Sequence, residues 1–469
     1  CDRSTESAPA RGGLGGLLYT GWRTTSQEGS QVRCPACGHQ NSPSATYCTQ
    51  CGTRLTHDAS APGPAGSGSS HLPPPPPLPL PQQSSQVGRA LAISGAGCVG
   101  FVLVVCIGLV LITEVPDPVA LGLSGAAAVL PAVMYGSLVL ALDRFEKEPW
   151  LTVLGSFAWG AIAATLFSYV ANTIGGLALV SAAGENVAVI AQVSLVAPLV
   201  EETFKGVALL GLLVLIRNEF DNVLDGLVYG ALIGLGFAMT ENVIYFGRAY
   251  LETGVWGLTQ LFVVRAVLGG LGHAMYTGTT GAALGWARAQ HGRGAWRFIV
   301  PIAGWALAVF QHFLWNGGSV AIAVGLMATG QETPSVWAVV ILQTLLFSVP
   351  ALIVLLTIAL VAGRRESRII REQLKDEVDV GVLTPAEYAT LSDGSARRRA
   401  AWEALRSGGY RHWRLQRRFV QAAAELAFRK YHISEGERLE GDQRLNSEDR
   451  YRAQLAAVRS QLSALSPTP

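Results

Sequence analysis

The feature that most constrains this chain is a series of eight long apolar runs between residues 89 and 362. Crossing the hydrocarbon of a bilayer takes about 20 helical residues, and each run reaches that length. A lone strand cannot satisfy its backbone in lipid, and the runs lack strand-like alternation. The sequence therefore predicts an all-α, polytopic membrane helix bundle. The predicted spans cover residues 90–112, 119–142, 151–181, 187–215, 224–247, 257–287, 297–326 and 335–362.

Charged residues are scarce and unevenly placed. They make up 14% of the chain, against roughly 25% in ordinary soluble domains. Most of them collect in the tails and in short loops, as solvation by a bilayer demands. The net charge of +2 provides no strong field for nucleic acid. We expect the lipid bilayer as a partner and no nucleic acid, and the sequence indicates no oligomeric state.

The loops predict the orientation of the chain in the membrane. The loops around EVPDP, AAGEN and TGQETPS contain no Lys or Arg, and Arg248 is the exception on that side. Basic residues gather on the other side, at Arg89, Arg144, Lys147, Arg217, Arg288, Arg293, Arg297, Arg364, Arg365 and Arg368. Because positive loops stay in the cytoplasm, both termini are predicted to be cytoplasmic. We expect a multi-pass protein of a prokaryotic cell membrane.

Residues 32–55 contain two Cys-x-x-Cys pairs, formed by Cys34, Cys37, Cys48 and Cys51. Two such pairs favour a closed tetrahedral site for one structural zinc ion, rather than a pair of redox dithiols. Reduced thiolates also agree with a cytoplasmic location. The segment is therefore predicted to be a zinc ribbon without an open, catalytic position.

The segments on either side of the ribbon, and the segment after the last span, differ from the spans in composition. Residues 1–31 are polar and predict a disordered tail, and since the chain opens on Cys1 we interpret its start as truncated or mispredicted. Residues 56–88 are rich in Pro, Gly and Ser, which is typical of a semi-rigid linker. Residues 363–469 predict a small cytoplasmic helical domain with solvated charges, including a capping box that starts at Thr384. The alternative is a domain that lies on anionic headgroups.

Spans four, six and seven contain polar residues far from their ends, where an ionisable group costs at least about 2.5–3.5 kcal/mol, and span five contains Glu241 nearer its outer end. A single buried histidine is more often a helix–helix hydrogen-bonding group, and an isolated Glu–Lys pair can be structural. Together, however, two acids, two imidazoles and an amide can activate water and stabilise an oxyanion. The candidate catalytic residues are Glu201, Glu202, Lys205, Glu241, His273, His312 and Asn316.

These motifs resemble those of the PrsW family of intramembrane proteases, which is related to the type II CAAX prenyl proteases. The resemblance rests on Glu201-Glu202-x-x-Lys205, Phe237-x-x-x-Glu241-Asn242, GHAMYTG around His273 and His312-x-x-x-Asn316, in that order. The acidic stretch LDRFEKEPW, with Asp143, Glu146, Glu148 and Pro149, is also similar. The similarity covers roughly residues 119–330.

The resemblance implies an intramembrane endopeptidase that cleaves a membrane-anchored protein, such as an anti-sigma factor. Glu201 or Glu202 is implied as the general base, His273 and His312 as holders of water or metal, and Asn316 as the oxyanion donor. Glu241 stands where the CAAX relatives have histidine. A catalytic zinc at Glu241, His273 and His312 is therefore one alternative, and a metal-free glutamate mechanism is the other.

Two further functions are compatible with the sequence. Buried Glu, Lys and His also suit a proton- or ion-coupled transporter, although no inverted repeat is evident. A non-catalytic membrane scaffold is the third alternative. Arg265 is interpreted as a residue that snorkels to the interface, with pairing to Glu241 as the alternative.

Overall fold

A computed structural model gives the fold of the chain. It describes residues 32–34, 40–41, 86–142, 148–215, 220, 222–290, 294–328, 335–434 and 443–465. The predicted tail and most of the predicted linker lie outside these residues. So do Cys37, Cys48 and Cys51, and the loop residues Asp143, Arg144, Glu146, Lys147, Arg217 and Arg293.

The part of the ribbon that the structure describes is a short β-hairpin. Strand β1 (Val32–Arg33) pairs antiparallel with β2 (Gln40–Asn41), with Val32 opposite Asn41. Cys34 follows β1 directly and is buried. The first predicted zinc ligand is thus held at the end of a strand.

Among the residues that the structure describes, eight helices are long and apolar enough to cross a membrane, which confirms the predicted all-α membrane bundle. In order, α1 to α8 carry the spanning segments Gly97–Glu114, Pro118–Leu140, Trp150–Ala183, Val187–Leu215, Val223–Thr253, Val255–Ala289, Trp296–Ala328 and Val336–Asp379. Helix α1 itself begins at Gln86. Each segment overlaps one predicted span, because a run of some 20 apolar residues is a strong signal in a sequence.

Several of these helices are not regular. Wider π-helical turns interrupt α3, α4, α6 and α8 at Trp159–Ala164, Gln192–Val196, Val263–Leu268 and Thr344–Ser348. Helix α6 also stops at Gly269 and restarts at Gly272. His273 was expected in the middle of one continuous helix, but it lies in the first turn of the second half-helix. Such irregularities occur frequently at functional sites.

Helix α5 is the centre of the bundle, and most of its residues are buried. Its glycines Gly226, Gly230 and Gly234 face the second half of α6. A Cβ atom on Gly230 would lie 2.4 Å from the carbonyl oxygen of Thr277, and one on Gly234 would lie 2.2 Å from that of His273. Only glycine permits this approach of two backbones, and the contact fixes the height of His273 against α5.

Arg248, the exception to the charge pattern of the loops, has a partner. It forms an ion pair with Glu114 at the end of α1, and Glu114 also accepts a hydrogen bond from Tyr169 on α3. The contact joins α1, α3 and α5 at one end of the bundle.

The residues after the last span form a helical domain with its own core. Helices α9 (Pro385–Ser392), α10 (Gly394–Ser434) and α11 (Gln443–Ser463) pack around buried residues such as Leu383, Phe419 and Leu455. The predicted capping box is present, since the Thr384 side chain accepts from the backbone of Glu387. Helix α8 enters this domain as one unbroken helix from Val349 to Gln373.

Replacing Gly230 with alanine should destabilise the bundle, because the new methyl group meets the α6 backbone at 2.4 Å. Overpacking of this kind costs about 1–3 kcal/mol. Thermal unfolding of the purified chain in detergent measures the effect. Gly211→Ala is the matched control, since a Cβ atom there meets nothing within 4 Å. Equal stability of the two variants would show that α5 and α6 are not in close contact.

Candidate functional site

Four consecutive spans bring their polar residues to one buried cluster. Helix α4 supplies Glu201, Glu202 and Lys205, whose spacing places all three on adjacent positions of one face. Helix α5 adds Glu241, the second half of α6 adds His273, and α7 adds His312. The expected convergence of acids and imidazoles is therefore present in the structure.

Lys205 stands at the centre of the cluster and is 0% exposed. Its Nζ lies 2.8 Å from Glu202 Oε1, 3.5 Å from Glu201 Oε2 and 2.9 Å from His273 Nδ1. The ring of Phe237 covers the ammonium group at 3.7 Å from the ring centroid. The side chain thus links α4 to α5 and α6 through charge, hydrogen bonding and a cation–π contact.

Glu202 uses both of its oxygen atoms in contacts with the protein. Oε1 accepts from Lys205 and lies 3.2 Å from His312 Nδ1, and Oε2 accepts from Thr277 Oγ1 at 2.9 Å. The Glu202 carboxylate thus has partners on three helices and joins α4 to α6 and α7. It can orient His312 by accepting a hydrogen bond from Nδ1–H, and in that tautomer Nε2 keeps its lone pair.

Glu201 is held more loosely than its neighbour. Its contacts are the 3.5 Å approach of Lys205 and a distance of 3.9 Å from Oε2 to His312 Nε2. One ligand atom each from Glu201, His273 and His312 can be chosen so that all three lie within 4.8 Å of one another. A small group or ion could therefore contact these three residues at once.

Glu241 contacts His273 at Nε2, the ring nitrogen that does not face Lys205. Its Oε2 lies 3.1 Å from His273 Nε2 and accepts from Arg265 Nη2 at 2.5 Å. Arg265 also donates from Nε to Asn242 Oδ1 at 2.7 Å. The interpretation of Arg265 as an interface residue is wrong, since its guanidinium points into the protein and pairs with Glu241.

The residues that group around a metal-sized space differ from the expected set. The sequence placed Glu241 with His273 and His312, whereas the structure groups Glu201 with the two histidines. Glu241 is engaged by Arg265 and lies behind His273. The correction follows from the break in α6, which sets the rotation of His273 and cannot be seen in the spacing of the motifs.

Asn316 does not join the cluster through its side chain. Its Nδ2 donates to the backbone carbonyl oxygen of Val193 at 3.0 Å, within the π-helical turn of α4. The bond satisfies a carbonyl group that the irregular turn frees. The geometry thus gives Asn316 a contact between α7 and α4, rather than the expected place beside the acids and imidazoles.

Two further residues belong to the site and were not singled out from the sequence. Thr277 lies one turn after His273 on the same half-helix and donates to Glu202. The ring of Tyr276 stacks on His312 at a centroid distance of 4.9 Å. The i, i+4 spacing of His273 and Thr277 was a usable signal for the first, but the stacking of Tyr276 depends on how α6 and α7 cross.

The donors present fit a zinc ion of the catalytic type. Two imidazoles and one carboxylate are a common protein set for such an ion, with the fourth position left open. Each histidine also has a carboxylate behind its other nitrogen, as metal-binding histidines usually do. Lys205 would compete with a zinc ion for these ligands, because its ammonium group contacts His273 Nδ1 and Glu201.

Replacing Lys205 with methionine should strongly destabilise the protein. The change leaves the buried Glu202 and Glu201 without their cation, and removal of one partner from a buried pair costs about 3–5 kcal/mol. Thermal unfolding in detergent measures the loss. Adding Glu202→Gln to Lys205→Met should restore part of the stability, because it removes the unpaired charge. A single variant as stable as the unchanged protein would contradict the assigned balance of charges.

The chain was compared with known proteins. Residues 148–354 match the family model described as PrsW family intramembrane metalloprotease, and residues 33–55 match a zinc-ribbon domain. The chain is 29% identical over 163 residues to "Protease PrsW" of Geobacillus kaustophilus (strain HTA426), covering 35% of this chain and 66% of that protein. It is 28% identical over 154 residues to "Protease PrsW" of Clostridioides difficile (strain 630), covering 33% and 61%.

No solved structure matches the chain. In the alignments to the two curated relatives, the chain spans slightly less than two thirds of the length of either protein. The matched region contains every residue of the buried cluster and all the motifs from Glu148 onwards. The resemblance inferred from the motifs is confirmed: the membrane region of this chain, preceded by a zinc-ribbon domain, is similar to the PrsW family of intramembrane metalloproteases.

Proposed function

We propose that this chain is an intramembrane endopeptidase that hydrolyses a peptide bond of a membrane-anchored protein. The observation that carries the proposal is the grouping of Glu201, His273 and His312 within 4.8 Å at the centre of the bundle. Hydrolysis needs a group that takes a proton from water, and a carboxylate beside two imidazoles provides one. The similarity to the PrsW family supports the same reaction.

Within this proposal Glu201 is the general base. Glu202 accepts hydrogen bonds from Lys205 and Thr277, so a proton from water would have to displace a partner. The contacts of Glu201 are longer, at 3.5 Å and 3.9 Å, so its carboxylate is less engaged by the protein and is the better acceptor for a water molecule. Glu202 and Glu241 then act as positioning residues that hold His312 and His273.

Lys205 has two roles in the proposed reaction. Before substrate binds, it balances the charges of Glu201 and Glu202. During hydrolysis the ammonium group lies within reach of the negative charge that develops on the carbonyl oxygen, and such preorganised charge is a large contribution to catalysis in a dry site. This assignment replaces Asn316, whose amide is bonded to Val193.

The site residues that would hold a zinc ion are Glu201, His273 and His312. When bound, zinc would polarise the scissile carbonyl and make water more acidic. In either case Glu241 and Glu202 each contact one ring nitrogen of His273 and His312, which leaves His273 Nδ1, now in contact with Lys205, and His312 Nε2 as the nitrogens available to an ion. The N-terminal ribbon is proposed to hold a separate structural zinc at Cys34, Cys37, Cys48 and Cys51.

The orientation proposed for the chain places both termini in the cytoplasm. It rests on the basic residues at one end of the spans, with Arg248 as the exception. The even number of spanning helices among the described residues agrees with it.

Replacing Glu201 with glutamine should lower peptide hydrolysis by about 10²–10⁴-fold, because the carboxamide cannot accept the proton of water. The assay uses the full chain in liposomes with a panel of single-span peptides, and mass spectrometry detects the products. Folding should be retained, since the amide has the shape of the acid. Glu185→Gln, an exposed change at the start of α4, is the matched control.

The comparison with Glu202→Gln separates the two carboxylates. That variant should lose stability as well as activity, because Glu202 has partners on three helices. A stable, inactive Glu202→Gln beside an active Glu201→Gln would reverse the assignment. Full hydrolysis in both variants would contradict a glutamate-dependent peptidase.

The zinc content of the purified chain tests whether the buried cluster binds a metal ion. In a Cys34→Ser, Cys37→Ser background, which removes two thiolates of the ribbon, we expect one zinc ion per chain by elemental analysis. His273→Ala together with His312→Ala should remove that ion, and a chelator should abolish hydrolysis until zinc is returned. Hydrolysis that persists without metal would instead support the metal-free glutamate mechanism.

A further inference from the structure

A groove separate from the buried cluster opens between α6, α7 and α8. Its volume is about 640 Å³. Its deep end lies at Thr279, Leu307 and Leu355, and its mouth lies at Arg365 and Tyr431, where α8 leaves the membrane for the C-terminal domain. The groove therefore runs along the half of the bundle in which the basic residues gather.

The groove exists because its walls carry small side chains. Ala282 and Ala283 line it from α6, and Ala303 and Gly304 line it from α7. A Cβ atom on Gly304 would lie 2.3 Å from that of Ala283, so α6 and α7 touch there and the space lies between this pair and α8. Proteins and bilayers are close-packed, and an apolar space of this size in hydrocarbon is filled by an apolar chain.

The mouth of the groove is positively charged. Arg365 is exposed and donates from Nη2 to Tyr431 Oη at 3.1 Å. Arg364 and Arg368 are also exposed, and their spacing places them next to Arg365 at the end of the span. Glu366 lines the same mouth but is only 5% exposed. The accessible groups are thus guanidiniums, which suit a phosphate.

We propose that this groove binds one anionic phospholipid, with an acyl chain between α7 and α8 and its phosphate at Arg365, the arginine that lines the mouth, beside the exposed Arg368. An apolar slot that ends at an arginine at headgroup height matches both parts of such a lipid. A substrate helix would bring no phosphate to these guanidiniums.

Filling the groove tests the acyl-chain part. The purified full chain in detergent is titrated with phosphatidylglycerol or phosphatidylcholine, and native mass spectrometry counts the bound lipids. We expect one phosphatidylglycerol held preferentially by the unchanged chain, and at least tenfold weaker binding by Ala303→Trp, whose indole occupies the slot. Ile302→Trp is the matched control, because Ile302 is the exposed neighbour that does not line the groove.

Neutralising the mouth tests the headgroup part. Arg365→Gln with Arg368→Gln should weaken phosphatidylglycerol binding by about fivefold per charge and weaken phosphatidylcholine binding less, because choline offsets the charge of its phosphate. Arg411→Gln with Arg414→Gln removes two exposed charges of α10 and should have no effect. Equal lipid counts for Ala303→Trp and the unchanged chain, or no preference for phosphatidylglycerol, would overturn the proposal. So would a loss of substrate cleavage in Ala303→Trp with its lipid count unchanged, since that result assigns the groove to a substrate helix.

Discussion

The burial of one ammonium group beside two carboxylates is the constraint on which the centre of this bundle depends. Lys205, Glu201 and Glu202 lie on a single helix in the apolar part of the chain, and none can face lipid without a large penalty. Their charges are balanced only if α5, α6 and α7 close around them with Phe237, His273 and His312. The same contacts that make the buried charges tolerable also assemble the proposed site.

That closure requires the backbone of α5 to approach α6 directly. The glycines of α5 provide the approach, and the carbonyl of His273 lies against Gly234. A larger residue at that position would push the half-helix away and lengthen the bond between His273 and Lys205. Packing and electrostatics are therefore coupled, because a change of less than an ångström between helices alters which groups share a proton.

The sequence was sufficient for the number of spans and for most residues of the site. Long apolar runs have few alternative structures in a bilayer, and ionisable residues within them are conspicuous, as Glu202, Lys205 and His312 are. It was not sufficient for the partners of those residues. Whether Glu201 or Glu241 faces both histidines depends on the rotation of each helix, and the break at Gly269 changes that rotation. Asn316 has the right depth but turns toward Val193.

Helix α8 joins the last span to the C-terminal domain without a linker. The helix from Val349 to Gln373 has 25 residues, which makes a rod about 38 Å long. Its membrane half forms a wall of the groove through Leu355, and its other half packs into the core of the domain through Ile370. A torque that a partner exerts on the domain would therefore turn that wall, and the width of the groove would follow the position of the domain.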